Sequence, residues 1–591
     1  MATYTAPLKD MEFVLNEVIQ VEQLSELEPF SEVSEEIRRG VLEEAAKLIE
    51  TSIAPLNQQG DQQGCTWKDN QVTTPEGFTE AYKLYGEGGW IGLQLSPEFE
   101  GQGLPYTLAT TVAEMLASAN SSFCLYPGLS MGCYEAIEAN GSDELKATYL
   151  SKIATGTWAG TMVLTESGAG SDVGLVSTKA QDSGDGSYQI TGNKIFITGG
   201  EQDLTENIVH LVLARLPGSP EGIRGISMFV VPKFLPDADG NPGERNPVFC
   251  TAIEHKMGLN GSATCALAFE QAKGFLVGEV NQGIQNMFVM MNNARLMVGT
   301  QGLGICELSK QNAILYAKER KQGRPLSRKA ESTSDNVSII GHPDVRRMLM
   351  TMKAYTEGSR MLSYDTAKHV DLMRHHPDAE VRQQAAGFVD LMTPICKGFF
   401  TDLGVEMTSM GVQVLGGHGY IAEHGMEQMM RDSKIFCLYE GTNGIQALDL
   451  IGRKLNSKGG LLANRFFEQV EQEMNQLSSN SDLDFVSQPV VEALSVLKET
   501  TDWMRNQSKT NPDDPAAVCC DYARMFALVT VGYYWAKAAA AAQGKDDAFY
   551  TSKTETARFY VSRLLPNIYG LAKAIPVSSD PLMALGEENF S

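Results

Sequence analysis

TWAGTMVLTESGAGSD (Thr157–Asp172) and YQITGNKIFITGG (Tyr188–Gly200) are the stretches on which the fold turns. Both gather β-branched and aromatic residues into short runs that stop at glycines, which is strand rather than helix composition. NIVHLVLARL (Asn207–Leu216), GISMFVVP (Gly225–Pro232) and ATCALAFE (Ala263–Glu270) continue the texture. Between them lie the turn-forming runs PGSPEG (Pro217–Gly222) and PDADGNPGERNP (Pro236–Pro247). A β domain is therefore predicted over residues 156–280. Within Tyr188–Thr198 the polar Thr191-Gly-Asn-Lys194 separates two strand-like halves and predicts a hairpin.

Outward from this block the periodicity is helical. Val33, Ile37, Val41, Ala45 and Leu48 recur at three- and four-residue steps, placing one apolar face inward and Glu35, Glu36, Arg38 and Arg39 toward water. Helices are also expected at Glu76–Tyr85 and Leu108–Ala119, so residues 1–155 read as a helical domain. Beyond the β block, helical patterns cover Met287–Lys318, Pro343–His369, Ala379–Leu415 and Gln428–Arg453, predicting a helical bundle over residues 281–455. After the polar break Asn456-Ser-Lys-Gly-Gly460, residues 456–591 read as an extra helical module. The predicted class is α+β.

The chain has 591 residues with 48 Lys plus Arg against 73 Asp plus Glu, a formal charge of −25. Such a field repels nucleic acid and anionic bilayers. Ten cysteines without CxxC spacing argue for reduced thiols rather than a disulfide framework or zinc site. The opening MATYTAPLKDMEFVLNEV has no basic segment before an apolar block, and the apolar Met525–Ala542 is broken by Lys537. A cytoplasmic protein without membrane spans is expected.

Four motifs bear on chemistry. TESGAGSD (Thr165–Asp172) leaves a strand with glycines that let main-chain N–H groups approach a phosphate or ring edge; alone, it is equally a plain turn. KIFITGG (Lys194–Gly200) puts an aromatic at a strand end, suited to covering a flat heterocycle. YAKERKQGRPLS (Tyr316–Ser327) closes a helix with cations that fit either the helix C-terminus or a pyrophosphate. QVLGGHGY and LYEGTNGIQ, inside Gln413–Gln446, break one helix and precede another. Glu440 follows the apolar Ile435–Tyr439, where partly dry surroundings favour the neutral acid and suit proton abstraction; a capping or salt-bridged glutamate is the other reading.

The order of these motifs resembles that of the acyl-CoA dehydrogenase family over about Ser31–Lys454, and the N-terminal opening and final module resemble its long bacterial branch. The resemblance implies a helical domain, a β domain and a four-helix bundle with FAD as cofactor. It implies that Met162, Leu164, Thr165, Gly170 and Ser171 line the flavin, with Phe196, Ile197 and Thr198 in place of the family's Trp-Ile-Thr. Phe for Trp keeps the aromatic face and removes the indole N–H. Arg320, Gln413 and Gly417 match residues that reach a partner subunit's FAD, and Thr442 matches a flavin contact. The family's usual Gln two residues further on is Gly444 here.

Glu440 falls on the family's catalytic base. Ser171, Arg295 and Gly441 join it as implied substrate-binding residues, with Asn292 where the family has Asp. The implied activity is α,β-dehydrogenation of an acyl-CoA, with a short sulfur-containing acyl group expected and straight short or medium chains as the alternative. Electron-transfer flavoprotein is the implied acceptor and a homodimer the implied assembly; no metal is expected. An acyl-CoA oxidase is a rival of the same fold, and a DNA-associated flavoprotein a rival of another class.

Overall fold

The computed structural model describes residues 2–324 and 337–591. Contacts divide the chain into two units: one holds essentially residues 40–297, the other residues 7–39 with 298–591.

In the first unit, helices Tyr106–Ala119, Ser121–Asn140 and Asp143–Ala154 precede the sheet. Ser142 and Asn120 cap the last two, accepting from the Leu145 and Phe123 N–H groups. Before them stands a small hairpin absent from the sequence reading, β1 (Thr66–Lys68) and β2 (Gln71–Thr73). Its turn residues Asp69 and Asn70 both take positive φ, 50° and 63°, a conformation those two residue types tolerate.

The main sheet is built from β3 (Trp158–Val163), β4 (Lys179–Asp182), β5 (Tyr188–Thr198), β6 (Asn207–Arg215) and β7 (Ile226–Pro232). The short pair β8 (Phe234–Pro236) and β9 (Pro242–Arg245) leads on to β10 (Val248–Ile253) and β11 (Thr264–Val277). Its path runs β10-β11-β5-β4-β6-β3, and β7 pairs with both β6 and β11, closing five strands into a ring. Val163, Ile190, Ile197, Val212, Phe229, Leu267 and Phe269 fill one apolar cluster, alternating inward along their strands. A second cluster joins Trp158, Leu211 and Met228 to Cys133, Ile137 and Tyr149 of the helices.

The expected hairpin within Tyr188–Thr198 does not form: the segment is one strand, paired along its length with β11 and, in its first half, with β4. Gly192 serves close approach instead of a turn, since a Cβ there would stand 2.4 Å from Thr178 Oγ1. Lys194, the other polar interruption, is fully buried beside Glu166. The first predicted helix, observed at Glu35–Leu48, is also rotated from its expected face. Ile37 is exposed and Arg38 is buried, because the Arg38 guanidinium donates to the Val33 carbonyl and pairs with Glu22 at 2.5 Å.

The second unit is helical. Pro343–His375 and Ala379–Leu415 pack together and against Cys519–Ala542 of the final module. The latter part of Gly283–Glu319 joins them through Gly302 against Phe400, Ser309 on the Met407 carbonyl and Glu307 on Arg360. Tyr534 donates to Asp365 at 2.6 Å and Trp535 Nε1 to the Ala354 carbonyl at 3.0 Å. Gly358 admits that indole, for a Cβ at this position would meet Trp535 Nε1 at 2.9 Å. The expected helix Gln428–Arg453 is broken instead into Met426–Ser433, a tighter turn at Lys434–Cys437, and Asn443–Asp449. No helix among the described residues is long and apolar enough to cross a membrane, and none of the ten cysteines is in a disulfide.

Candidate active site

In the first unit, the β3 exit and the end of β5 are built as one piece. Ile195 N–H donates to the Thr165 carbonyl at 2.9 Å, and the buried Lys194 ammonium to the Leu164 carbonyl at 2.8 Å. Glu166 then pins the far end of the glycine-rich loop. Its carboxylate accepts from the main-chain N–H groups and hydroxyls of Ser177 and Thr178, between 2.6 and 3.0 Å, and from Lys194 at 3.0 Å. Five donors on one carboxylate close the loop 166–178 at its base.

That scaffold leaves the loop crest open. Ser171 and Gly170 are exposed, Thr165 and Met162 half-buried, and a Cβ built on Gly168 or Gly170 would meet nothing within 4 Å. Phe196 is 59% exposed and holds a φ of +59°, an uncommon conformation for an aromatic residue that survives only where neighbours impose it. Ile197 and Leu164 are buried, so only their main chains are available to a ligand, while Thr198 is half-buried. An exposed ring beside free-standing glycine N–H groups and hydroxyls fits the flat, polar-edged ring of FAD and its phosphates. On the helix that begins at Gly283, Arg295 is buried, and Asn293 rather than Asn292 engages a carboxylate, donating to the buried Glu135.

In the second unit, Gln413, Gly416 and Gly417 lie exposed at the end of Ala379–Leu415, with open space around both glycines. Arg320 is exposed where Gly283–Glu319 stops, its carbonyl accepting from Ile339 N–H at 2.8 Å. Pro325–Ser327 of the basic run lie outside the described residues.

Glu440 sits, half-buried, in the break between Lys434–Cys437 and Asn443–Asp449. It takes a φ of +54° and Gly441 one of +82°. Thr442 caps the next helix, its hydroxyl accepting from Ile445 N–H at 3.3 Å. Three residues that the sequence reading passed over hold this break. Lys397 donates to the Gly441 carbonyl, Gln446 to the Glu440 carbonyl at 3.0 Å, and the Tyr439 hydroxyl to Gln301. The signal for Lys397 was a single cation within the apolar run Leu391–Phe400.

Family models for acyl-CoA dehydrogenases match nearly the whole chain: the N-terminal domain at residues 35–157, the middle domain at 161–272, the C-terminal domain at 281–455, and an acetyl-CoA dehydrogenase C-terminal-like domain at 466–586. The chain is 40% identical to a 3-methylmercaptopropionyl-CoA dehydrogenase of Ruegeria pomeroyi, over 98% of this chain and 99% of that one. It is 35% identical to a broad-specificity linear acyl-CoA dehydrogenase of Mycobacterium tuberculosis, over the full length of both. Its fold resembles an acyl-CoA dehydrogenase from Bacillus anthracis solved with FAD, with a TM-score of 0.74 at 21% identity, over 97% of this chain and 93% of that one. With its β domain, its helical bundle and its motifs thus accounted for, the chain belongs to the acyl-CoA dehydrogenase family of flavoprotein oxidoreductases.

Proposed function

We propose that this chain converts 3-(methylthio)propanoyl-CoA to 3-(methylthio)acryloyl-CoA, with Glu440 as the base. The observation that carries the reading is the half-buried carboxylate on a left-handed kink whose main chain is held from beneath by buried side chains. A thioester α-hydrogen is weakly acidic, so a carboxylate removes it only when its direction is fixed and the charge developing on the thioester oxygen meets a donor. FAD, when bound, supplies the acceptor for the β-hydride. Met162, Leu164, Thr165, Gly170, Ser171, Phe196, Ile197 and Thr198 are proposed to hold it, with Thr442, Arg320, Gln413 and Gly417. Ser171, Arg295 and Gly441 are proposed for the acyl-CoA.

The acyl group is assigned from the Ruegeria relative and from a narrow apolar pocket in the first unit. Trp90, Leu93, Cys124, Gly128, Met131 and Met297 line it. Polarisable sulfur on the walls suits a thioether as well as a hydrocarbon tail. The electron acceptor is proposed to be electron-transfer flavoprotein, the assembly a homodimer and the compartment the cytoplasm. Anaerobic bleaching of the flavin by a series of acyl-CoA thioesters tests the reading. 3-(Methylthio)propanoyl-CoA should bleach it fastest; faster bleaching by butanoyl- or octanoyl-CoA would reassign the substrate, and none by any thioester would remove the activity.

A further inference from the structure

Two consecutive residues in the left-handed region demand an explanation, because only one of them is glycine. Glu440 has φ +54° and Gly441 φ +82°. For a residue with a Cβ, the left-handed region costs roughly 1–2 kcal/mol, so the surroundings must over-determine it. They do so through the two peptide planes that follow the Glu440 Cα. The first, whose oxygen is the Glu440 carbonyl, is held by Gln446 Nε2 at 3.0 Å. The second, whose oxygen is the Gly441 carbonyl, is held by Lys397 Nζ at 2.8 Å. Lys397 also donates to Asn443 Oδ1 at 2.8 Å, and the Asn443 amide is in turn tied to the Gly398 carbonyl and Asp402 at 3.1 and 2.7 Å.

Both Lys397 and Gln446 are shut off from water, at 0% and 1% exposure. Burying an ammonium is costly unless its donors are used on fixed acceptors. Here the acceptors are the carbonyl of the kink and the side chain of the residue that opens the next helix. The arrangement fixes the direction in which the chain turns after Glu440, and with it the Glu440 side chain.

We propose that Lys397 is a positioning residue for Glu440, acting on the proton-abstraction step through the Gly441 peptide and not by contact with substrate. The inference rests on the reading of Glu440 as the base. Lys397→Met keeps the length of the side chain and removes the donor. In the purified FAD-loaded enzyme, kcat should fall about 10- to 100-fold, as expected for a misplacement of roughly an ångström. KM for the acyl-CoA and the flavin content should stay within about twofold, since no binding group is removed. Exchange of the substrate α-hydrogen with deuterium oxide, followed without an electron acceptor, should slow by the same factor as kcat. A structural role alone would leave that exchange rate per folded, flavin-bearing enzyme unchanged.

Wild-type kcat and exchange in the folded variant would overturn the proposal while leaving the activity intact. A wild-type enzyme that neither bleaches with nor exchanges any acyl-CoA would overturn the activity and the proposal together. Should Lys397→Met fail to fold, Gln446→Met, which releases the other peptide plane, is read in the same way: a parallel loss of kcat and exchange supports positioning through the kink, and unchanged values overturn it.

Discussion

The Lys194 ammonium lies 3.0 Å from the Glu166 carboxylate and 2.8 Å from the Leu164 carbonyl, so one buried side chain joins the strand bearing Phe196 to the strand exit bearing Thr165. Lys194→Met removes that joint and strands Glu166 without its counter-ion. Breaking a buried pair from one side costs about 3–5 kcal/mol. The expected result is a lower melting temperature together with a lower flavin-to-protein ratio after dialysis. A variant that melts earlier but keeps all its flavin would show that the joint serves the fold alone.

The same carboxylate makes the protein acid-sensitive. Burial pushes the Glu166 carboxyl up, but Lys194 and the donors of Ser177 and Thr178 outweigh it and hold the group at about 2. The unfolded chain therefore binds a proton on this residue at a higher pH than the folded chain does. Its contribution is present in full above about pH 4.5 and is lost as pH falls toward 2, on the order of 2 kcal/mol. Glu166→Gln should be less stable at neutral pH and show a shallower decline between pH 4.5 and 2. Parallel stability-against-pH curves for the two proteins would remove Glu166 from the acid response.

A larger ionic cluster organises the helical unit. Asp10, Glu307 and Glu357 meet Arg360, Lys310, Lys353 and Lys553, all but Lys353 less than 9% exposed; Lys553 pairs with Asp10 and, at 2.8 Å, with Glu357. Residues 10 and 553 thus bring both ends of this unit's chain onto the helix Pro343–His375. Lys553→Met should lower stability by about 3–5 kcal/mol, because two carboxylates lose a desolvated partner. The chemical denaturation midpoint checks it; a change below about 1 kcal/mol would mean that the remaining cations compensate.

Much of this architecture was legible in local patterns. Short β-branched runs ending in glycine mark the sheet, and three- and four-residue apolar steps mark the long helices. The failures share a cause, since each depends on a partner distant in sequence. Gly192 looks like a turn until Thr178 lies across it, and Arg38 looks solvated until Glu22 meets it. Glu440-Gly441 marked an interruption in the motif, yet the apolar periodicity ran a helix across it from Gln428 to Arg453. What holds the break was not legible, because Lys397 stands 44 residues before Gly441, on another helix.

Glu440→Gln separates the carboxylate's chemistry from its geometry. Neither main-chain bond to the kink involves the Glu440 side chain, so the nearly isosteric amide leaves the φ pair and its tethers in place. Flavin content should be unchanged, and turnover should fall by at least about 10²- to 10⁴-fold with the loss of a general base. Near-native turnover in the purified variant would move the base elsewhere.

Gly128→Ala probes the depth of the apolar pocket. A Cβ at Gly128 would stand 2.3 Å from Met297 Sδ and 2.7 Å from its Cε, so the thioether must move, and as the flexible end of its side chain it can. Both residues line the pocket, so the displaced sulfur takes space from whatever the pocket holds. Each methylene that loses its burial forfeits about 0.8 kcal/mol, or roughly fourfold in kcat/KM. An octanoyl chain should therefore lose at least about tenfold more than a butanoyl chain, with 3-(methylthio)propanoyl-CoA affected little. Equal losses across the three thioesters would place the acyl group outside this pocket.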